Sequence, residues 1–369
     1  MKFDRRLILN FDWVLLFLAL GICVLGILNI YSAGFSLTDP KLKFLYLKQL
    51  AWIGIGLFFM AMAFLIDYRS ITRHAYIIYI ISLIILALVF IIGYSTRGAQ
   101  RWIGLGFFSF QPSELMKLSV ILALAKYFDD HKTASGYPLR EMILPFLIAL
   151  VPFLFVLKQP DLGTGIMLII IFLSIAFTVG IAWKAIFLAA CGSLAMIPAT
   201  WFFLMEYQKN RIMTFLDPER DPLGAGYHAI QSIIAVGSGG LFGKGFLRGT
   251  QTQLKFLPEQ QTDFVFSVFA EEWGFAGGVF LMVLFLTLIL WCLKIAFQSK
   301  DLPGKVISAG ITMMIFGQVF INIGMVIGII PIVGIPLPFM SYGGSSMVVF
   351  MAGVGLILNV RMRRFVFQA

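Results

Sequence analysis

The chain has 369 residues, of which 60% are hydrophobic and 12% charged, and its mean hydropathy is +0.94. No soluble globular domain approaches this composition, so the sequence predicts a polytopic membrane protein. The net charge of +10 does not indicate nucleic acid, because no basic run is interleaved with aromatic residues outside the apolar segments. Anionic membrane lipid or an anionic substrate is the partner that the charge favours.

Ten apolar runs predict an all-α fold with ten transmembrane helices. The runs cover residues 12–32, 49–66, 75–94, 112–128, 141–157, 164–182, 184–204, 264–293, 305–330 and 342–360. An even number places both termini on one side of the membrane. Basic residues flank the first and last runs, which predicts that this side is the cytoplasm. The first run lacks a small-residue cleavage site and is followed by further spans, so we interpret it as a retained helix and not as a signal peptide.

The predicted domain organisation is a single transmembrane domain, 1–369, with one long extracytoplasmic loop between the seventh and eighth spans, 205–263. Within that loop, apolar residues recur at helical spacing near 226–236. This segment is too short to span a bilayer, so it predicts a helix that lies on the membrane surface.

The unusual polar segments all fall on the predicted outer face. Besides the long loop they are residues 98–103 (Gly-Ala-Gln-Arg-Trp-Ile), 111–114 (Gln-Pro-Ser-Glu), 159–164 (Gln-Pro-Asp-Leu-Gly-Thr) and 336–346. The inner connections have the composition of ordinary solvated turns. A functional site, if there is a single one, is therefore expected to face outward.

Asp263 stands at the start of the eighth span, and below it runs a stripe of small residues at helical spacing: Ser267, Ala270, Gly274 and Gly277. Such a stripe accepts a neighbouring helix or a ligand. By itself, Asp263 is most simply a helix N-cap. Glu271 and Glu272 follow deeper in the span, where we expect an internal ion pair or hydrogen bonds to another span.

Other outward residues could form a polar pocket with Asp263. Glu114 and Lys117 share the first turn of the fourth span, where Pro112 suits the first helical position, and Arg101 precedes them. Asp161 lies in a turn made by a proline and a glycine; a local turn-capping role and a functional role are equally plausible for it.

Two glycine-rich segments are candidate anion sites. Residues 236–245, with Lys244, could hold a phosphate through backbone N–H groups, although they lack the spacing of a nucleotide-binding loop. Residues 341–346, starting with Ser341, open the last span and could present a helix N-terminus to an anion.

The motifs of several other site classes are absent from the sequence. The three cysteines lie in apolar runs and the three histidines are scattered, so no zinc site is indicated. No Gly-x-Ser-x-Gly motif occurs. Cations and a carboxylate at the membrane surface suit transfer of a group from a lipid phosphate, because cations stabilise the leaving group while a carboxylate accepts a proton.

The polar segments together resemble the signature motifs of the SEDS family (shape, elongation, division and sporulation). The similar segments are 98–103, 111–114 with Lys117, 159–164, 237–240, 249–251, 257–259 with 262–264, 270–272 and 336–346, in the family's order. The short termini resemble the elongation branch, RodA, more than the division branch, FtsW.

The resemblance implies a peptidoglycan glycosyltransferase of the bacterial cytoplasmic (inner) membrane. It would polymerise lipid II into β-1,4-linked glycan outside the membrane, release undecaprenyl pyrophosphate, and work with a class B penicillin-binding protein that crosslinks the strands. The division enzyme is the alternative branch. The alternatives from other classes are a lipid II flippase and a non-enzymatic scaffold for the penicillin-binding protein.

The resemblance also implies the roles of single residues. Asp263 matches the family's essential aspartate, and we expect it to deprotonate or orient the acceptor hydroxyl. The expected substrate-binding residues are Arg101, Trp102, Glu114, Lys117, Asp161, Arg211, Lys244 and Ser341, with the four cations of this set as candidates for the pyrophosphate. A divalent cation, Mg²⁺ or Mn²⁺, at Asp263 or Glu114 is plausible, and no organic cofactor is expected.

Overall fold

A computed structural model describes residues 11–364 apart from 38, 97–98, 106–107, 134–135, 182–201, 203–205, 222–223 and 258. The first half of the chain forms helices α1 (Trp13–Phe35), α2 (Pro40–Lys43), α3 (Leu45–Leu65), α4 (Tyr68–Arg73), α5 (Ala75–Ile92), α6 (Pro112–Asp130), α7 (Ile143–Lys158) and α8 (Leu162–Val179). The second half forms α9 (Glu206–Leu216), α10 (Ala225–Ser238), α11 (Thr250–Gln253), α12 (Val265–Gln298), α13 (Leu302–Val326) and α14 (Gly344–Arg363). Short 3₁₀ turns lie at Leu139–Met142 and Pro218–Arg220.

Eight helices among the described residues are long and apolar enough to cross a membrane, and they coincide with eight of the ten predicted spans. The fourth predicted span is present as α6, whose residues are almost all buried but include charged side chains. The seventh, 184–204, lies almost wholly outside the described residues. The chain is therefore a multi-pass helical membrane protein, and eight of its ten predicted spans are confirmed as membrane-length helices.

The core lies around α6, α13 and α14, which are the most enclosed helices of the bundle. Small residues let neighbouring backbones approach closely, as is usual between membrane helices. The contact between α3 and α14 illustrates this: a Cβ at Gly355 would lie 2.5 Å from the Met60 carbonyl oxygen. The lipid-facing surfaces of α1, α3, α5 and α12 expose many large apolar side chains.

A polar network closes the end of the bundle opposite Asp263. Asp301 accepts hydrogen bonds from the Tyr68 hydroxyl (2.6 Å) and from Arg69 Nε (3.1 Å), and so joins α4 to the start of α13. Burial and the bond to Asp301 raise the pKa of the Tyr68 phenol, which therefore stays protonated and donates at neutral pH. Arg363 at the end of α14 pairs with Asp67 at 3.5 Å.

The predicted all-α fold is wrong in one element, a small antiparallel sheet between α5 and α6. Its strands are β1 (Tyr94–Thr96), β2 (Ala99–Leu105) and β3 (Phe108–Phe110), in the order β1-β2-β3. Each strand pairs with its neighbour in sequence, so two turns are enough to form the sheet. The strands are short, and their sequences show little alternation of apolar and polar residues that would have predicted them. β2 carries Arg101 and Trp102.

The long helix α12 is broken at Gly274, whose φ of 67° and ψ of −165° lie outside the helical region. The segment 239–245 lies in the break and pairs with the freed backbone groups. Four backbone hydrogen bonds of 2.8 to 3.0 Å join the two segments: Lys244 N–H to Glu271, Gly245 N–H to Glu272, Phe275 N–H to Gly240 and Ala276 N–H to Leu241. Within a membrane such pairing is necessary, because lipid offers no hydrogen-bond partners.

The stripe of small residues below Asp263 accepts both a helix and a loop: Ser267 bonds to Ser232 of α10 at 2.9 Å, whereas Ala270 and Gly274 lie against the 239–245 loop. A Cβ at Gly239 would lie 2.2 Å from the Ala270 carbonyl oxygen. The predicted phosphate cradle at 236–245 is wrong for the same reason: the N–H groups of Lys244 and Gly245 already donate to carbonyls of α12.

Glu271 anchors the same loop through its side chain. The carboxylate is fully buried and accepts a hydrogen bond of 2.7 Å from Lys244 Nζ. Further donors come from residues 250–252, at 2.8 to 3.2 Å. The predicted internal ion pair is thus confirmed for Glu271, and a buried carboxylate with this many donors is well compensated.

Replacing Gly274 with alanine tests the break. A Cβ at position 274 would lie 2.2 Å from the Gly243 nitrogen and would force an L-residue into a conformation that glycine alone adopts readily. We expect Gly274→Ala to lower the free energy of unfolding by at least ~2 kcal/mol, measured as thermal loss of folded protein in detergent.

The control is Gly54→Ala in α3, where a Cβ meets no atom within 4 Å. We expect this variant to be unchanged or slightly more stable, because alanine favours a helix over glycine by ~1 kcal/mol. Equal stability of the two variants would contradict the need for glycine in the break.

Candidate active site at the Asp263 end of the bundle

Asp263 lies in the turn immediately before α12, with a half-buried side chain. The N-cap position belongs to Phe264, so Asp263 does not occupy the capping position. Its carbonyl oxygen accepts a hydrogen bond of 2.9 Å from Asn322 Nδ2, which also donates to the Ile335 carbonyl at 2.7 Å. Carboxylate atom Oδ2 lies 3.3 Å from where a Cβ on Gly334 would be. Asp263 is therefore held between α13 and the segment that leads to α14.

Ser341 fixes this turn from the other side. Its hydroxyl donates to the Thr262 carbonyl at 2.6 Å and accepts from the Leu337 N–H at 2.8 Å. The Tyr342 N–H donates to the Gln261 carbonyl at 2.8 Å. With both bonds made inside the protein, the Ser341 hydroxyl positions the residue next to Asp263.

Gln49, near the start of α3, holds the same segment. Its amide donates to the Ser341 carbonyl at 3.1 Å and accepts from the Gly343 N–H at 3.3 Å. Burial raises the pKa of the neighbouring Tyr342 phenol, which therefore stays neutral at physiological pH.

Asp161 and Arg101 form a second polar group. Asp161 is the N-cap of α8: Oδ1 accepts from the Thr164 N–H at 3.2 Å and Oδ2 from the Thr164 hydroxyl at 2.9 Å. Arg101 Nη1 lies 3.7 Å from Asp161 Oδ1, and the same guanidinium donates to the carbonyls of Gln159 and Pro160. The turn-capping role of Asp161, which the sequence left open, is thus present in the structure.

Gln111 joins this group to the segment before α14. Its side-chain amide donates to Asp161 Oδ2 at 3.3 Å, and its backbone N–H donates to the Ser345 hydroxyl at 2.9 Å. A continuous set of contacts therefore runs from Arg101 through Asp161 and Gln111 to residues 341–345, and from there to Asp263. Segments far apart in sequence meet at one end of the bundle, as predicted.

Glu114 and Lys117 form a buried ion pair in the first turn of α6. Lys117 Nζ lies 2.7 Å from Glu114 Oε1, and the two side chains are 0% and 3% exposed. The ammonium also lies 5.7 Å from the centre of the Phe350 ring in α14. Glu114 Oε2 has no hydrogen-bond partner among the described residues. In this conformation protein encloses the ammonium, so a phosphate reaches it only after the surrounding side chains move.

The other predicted residues lie elsewhere. Lys244 belongs to the 239–245 loop and its ammonium donates to Glu271, so this cation is already paired within the protein. Arg211 in α9 lines a cleft of about 80 Å³ with Ile233, Met325 and Ile330, and Asp263 is not among the lining residues. Trp102 lies half-buried in β2 opposite Tyr94.

The sequence did not reveal the positioning roles of Asn322, Gln49 and Thr262. The sequence did indicate that Asn322 and Gln49 have a role, because an amide side chain inside an apolar run needs a hydrogen-bond partner within the protein. Their partners could not be inferred, since they lie on other helices.

The described residues contain no group of three or more His, Cys, Asp or Glu side chains able to hold a metal. Glu114 is a poor ligand for a divalent cation, because the Lys117 ammonium is already paired with it. Asp263 offers a single carboxylate. Magnesium sites on phosphate substrates commonly use one or two carboxylates together with phosphate oxygens, so Asp263 fits that donor set only with substrate present.

Comparison with known sequences gives matches over almost the whole chain. MrdB of Escherichia coli (strain K12), named a peptidoglycan glycosyltransferase, is 44% identical over 318 residues, which cover 86% of this chain and 85% of MrdB. RodA of Treponema pallidum (strain Nichols), with the same activity in its name, is 34% identical and covers 96% and 98% of the two chains.

Solved structures give the same result. One chain, from a structure titled "Structural coordination of polymerization and crosslinking by a peptidoglycan synthase complex", has a TM-score of 0.81 and 37% identity, covering 97% of this chain and 99% of that one. The rod shape determining protein RodA of Thermus thermophilus has a TM-score of 0.72 and 32% identity, covering 96% and 98%. The family model for FtsW, RodA and SpoVE, described as "Cell cycle protein", matches residues 12–365. The chain therefore belongs to the FtsW/RodA/SpoVE family, the SEDS family whose motifs its sequence resembles.

Proposed function

We propose that this protein is a peptidoglycan glycosyltransferase of the RodA type, which polymerises lipid II into β-1,4 glycan for cell elongation and releases undecaprenyl pyrophosphate. The activity is supported by the names of relatives 34 to 44% identical over most of the chain. The main structural support for the site is the placement of Asp263. Asn322 fixes its backbone, while its side chain is only half-buried.

In the proposed mechanism Asp263 accepts the proton of the acceptor sugar hydroxyl as that oxygen attacks the anomeric carbon of the donor. One carboxylate suffices, because pyrophosphate leaves without needing a proton, unlike the alcohol that leaves in glycosidases. The bonds from Asn322 and Ser341 hold the turn in place before substrate binds, which lowers the cost of orienting the base.

Cations near the start of α6 would stabilise the developing charge of the pyrophosphate. Lys117 and Arg101 are the candidates whose positions join the Asp263 end of the bundle. A Mg²⁺ or Mn²⁺ ion would be held by Asp263 and by the substrate's pyrophosphate oxygens, where it would neutralise charge.

The proposed setting is the bacterial inner membrane, with the site on the outer face and a class B penicillin-binding protein as partner. The likeness to a chain of a synthase complex that couples polymerization and crosslinking supports such a partner. Among the alternatives, the division branch shares the fold and chemistry, whereas a flippase would move lipid II without making polymer.

Asp263→Asn tests the base. The amide keeps the size of the side chain but cannot accept the proton, so we expect polymerisation of labelled lipid II by purified protein to fall at least ~10²-fold. The matched control is Glu206→Gln, which changes an exposed carboxyl in α9 that pairs with Lys209, and it should leave the rate unchanged. If Asp263→Asn made polymer at the wild-type rate, the proposed mechanism would be excluded. If the wild-type protein moved lipid II across the membrane of sealed vesicles without making polymer, the flippase would be favoured.

The Glu114–Lys117 pair is tested with single and double variants. Glu114→Gln leaves a buried ammonium without its partner and should lower the free energy of unfolding by about 3–5 kcal/mol. Glu114→Gln with Lys117→Met removes both charges and should recover most of that stability. If Lys117 contacts the pyrophosphate, the double variant folds but does not polymerise; a stable and fully active double variant would assign the pair a structural role alone.

Ser341→Ala tests the positioning of the turn. The change leaves the Thr262 carbonyl and the Leu337 N–H without this partner, and we expect a loss of ~1–3 kcal/mol of stability. We also expect polymerisation to slow about tenfold, since displacement of a base lowers the rate steeply. Ser174→Ala is the control, because that hydroxyl bonds only within its own helix; equal rates in the two variants would argue against a positioning role.

A further inference from the structure

A buried polar cluster lies between α1, the first half of α12 and the loop that leads to Asp263. We call it the Glu272 cluster and define it as Asn29, Ser32, Gln251, Gln260 and Glu272. Asn29, Gln260 and Glu272 are 2%, 6% and 1% exposed, and the Ser32 side chain is fully buried. The glycosyltransferase mechanism uses none of these side chains.

Contacts within the cluster place its members at one interface. Glu272 Oε1 accepts from the Ser32 hydroxyl and from the Leu247 N–H, the latter at 3.2 Å. Asn29 Nδ2 donates to the Val265 carbonyl at 2.7 Å. Gln260 Nε2 donates to the Ala33 carbonyl at 2.6 Å. The Gln251 N–H donates to Glu271, the neighbour of Glu272.

Four oxygen atoms of the cluster are shut off from solvent and have no hydrogen-bond partner among the described residues: Asn29 Oδ1, Gln251 Oε1, Gln260 Oε1 and Glu272 Oε2. All four are acceptors. The amide orientations of Asn29 and Gln260 are fixed, because their nitrogens face backbone carbonyls and only an N–H can donate there. The cluster therefore has a surplus of acceptors, each of which is costly to leave unsatisfied.

The charge of the cluster is also unbalanced. Lys244, the cation beside the two adjacent glutamates, donates to Glu271 and to two hydroxyl groups. The contacts of Glu272 are a hydroxyl and a backbone N–H, which are both neutral. An isolated carboxylate at this depth is costly, so either a proton or a cation must balance its charge.

We propose that the Glu272 cluster binds a small monovalent cation, Na⁺ or K⁺. Glu272 Oε2 supplies the negative charge and amide oxygens of the cluster supply neutral ligands. A single proton on Oε2 would neutralise the carboxyl and could donate to one amide oxygen, which would still leave two of the four oxygens without a donor. A divalent cation would leave one positive charge in excess where the dielectric is low, whereas a monovalent ion balances it.

The site has a structural consequence that goes beyond the proposed function. Gln260 lies three residues before Asp263, and Leu247 and Gln251, the latter in α11, belong to the segment between the 239–245 loop and that turn. Ion binding would hold this loop on α1 and would stabilise the folded protein by mass action.

The test measures thermal unfolding of the full-length protein in detergent, in NaCl, KCl or choline chloride at equal ionic strength. We expect the unfolding temperature to rise with Na⁺ or K⁺ in a saturable way and not with choline. Glu272→Gln needs no cation, so it should lose this dependence, whereas Glu206→Gln should keep it. An identical unfolding temperature in the three salts, or an unchanged ion dependence in Glu272→Gln, would overturn the proposal and leave a proton on Glu272.

A second variant covers the case in which Glu272→Gln does not fold. Asn29→Ala removes a neutral ligand and keeps the charge, and it should raise the ion concentration for half-maximal stabilisation by about tenfold. An unchanged half-maximal concentration would count against the assigned ligands. The assay uses no substrate, so its outcome is independent of whether Asp263 is the catalytic base.

Discussion

The break of α12 at Gly274 and the loop that fills it determine how the Asp263 end of this protein is built. Carbonyl and N–H groups freed where α12 breaks must find partners within the protein, and residues 240–245 supply them. The Lys244–Glu271 ion pair adds a side-chain bond to the same contact. Because the first half of α12 begins two residues after Asp263, the contact also helps to fix where the carboxylate stands.

Lys244 and Lys117 each pair with a buried glutamate, but the surroundings of the two lysines differ. Lys244 completes the donors around a carboxylate that anchors a loop, and all of its neighbours belong to that anchor. Lys117 has one carboxylate partner and an aromatic ring, next to an oxygen of Glu114 that nothing satisfies among the described residues. A satisfied network resists change, whereas an incompletely satisfied pair exchanges partners at lower cost.

The sequence predicted the elements with strong local signals. Eight spans, the internal pairing of Glu271 and the meeting of polar loops at one end follow from hydropathy and from the cost of burying charge. The break at Gly274 could not be predicted, because a lone glycine in an apolar run looks the same whether it packs or breaks a helix. Lys244 was misplaced for a related reason: its charge is visible in the sequence, but its partner 27 positions away is not.

Gln49 gives the Asp263 end of the bundle a mechanical link to the bilayer. It lies in α3, a helix that mostly faces lipid, yet its amide holds the segment whose Ser341 hydroxyl bonds to Thr262. Helices adjust their tilt to the thickness of the hydrocarbon layer. Two hydrogen bonds in series, from Gln49 to Ser341 and from Ser341 to Thr262, thus connect the tilt of α3 to the Asp263 turn, so the thickness of the surrounding bilayer bears on the position of that carboxylate.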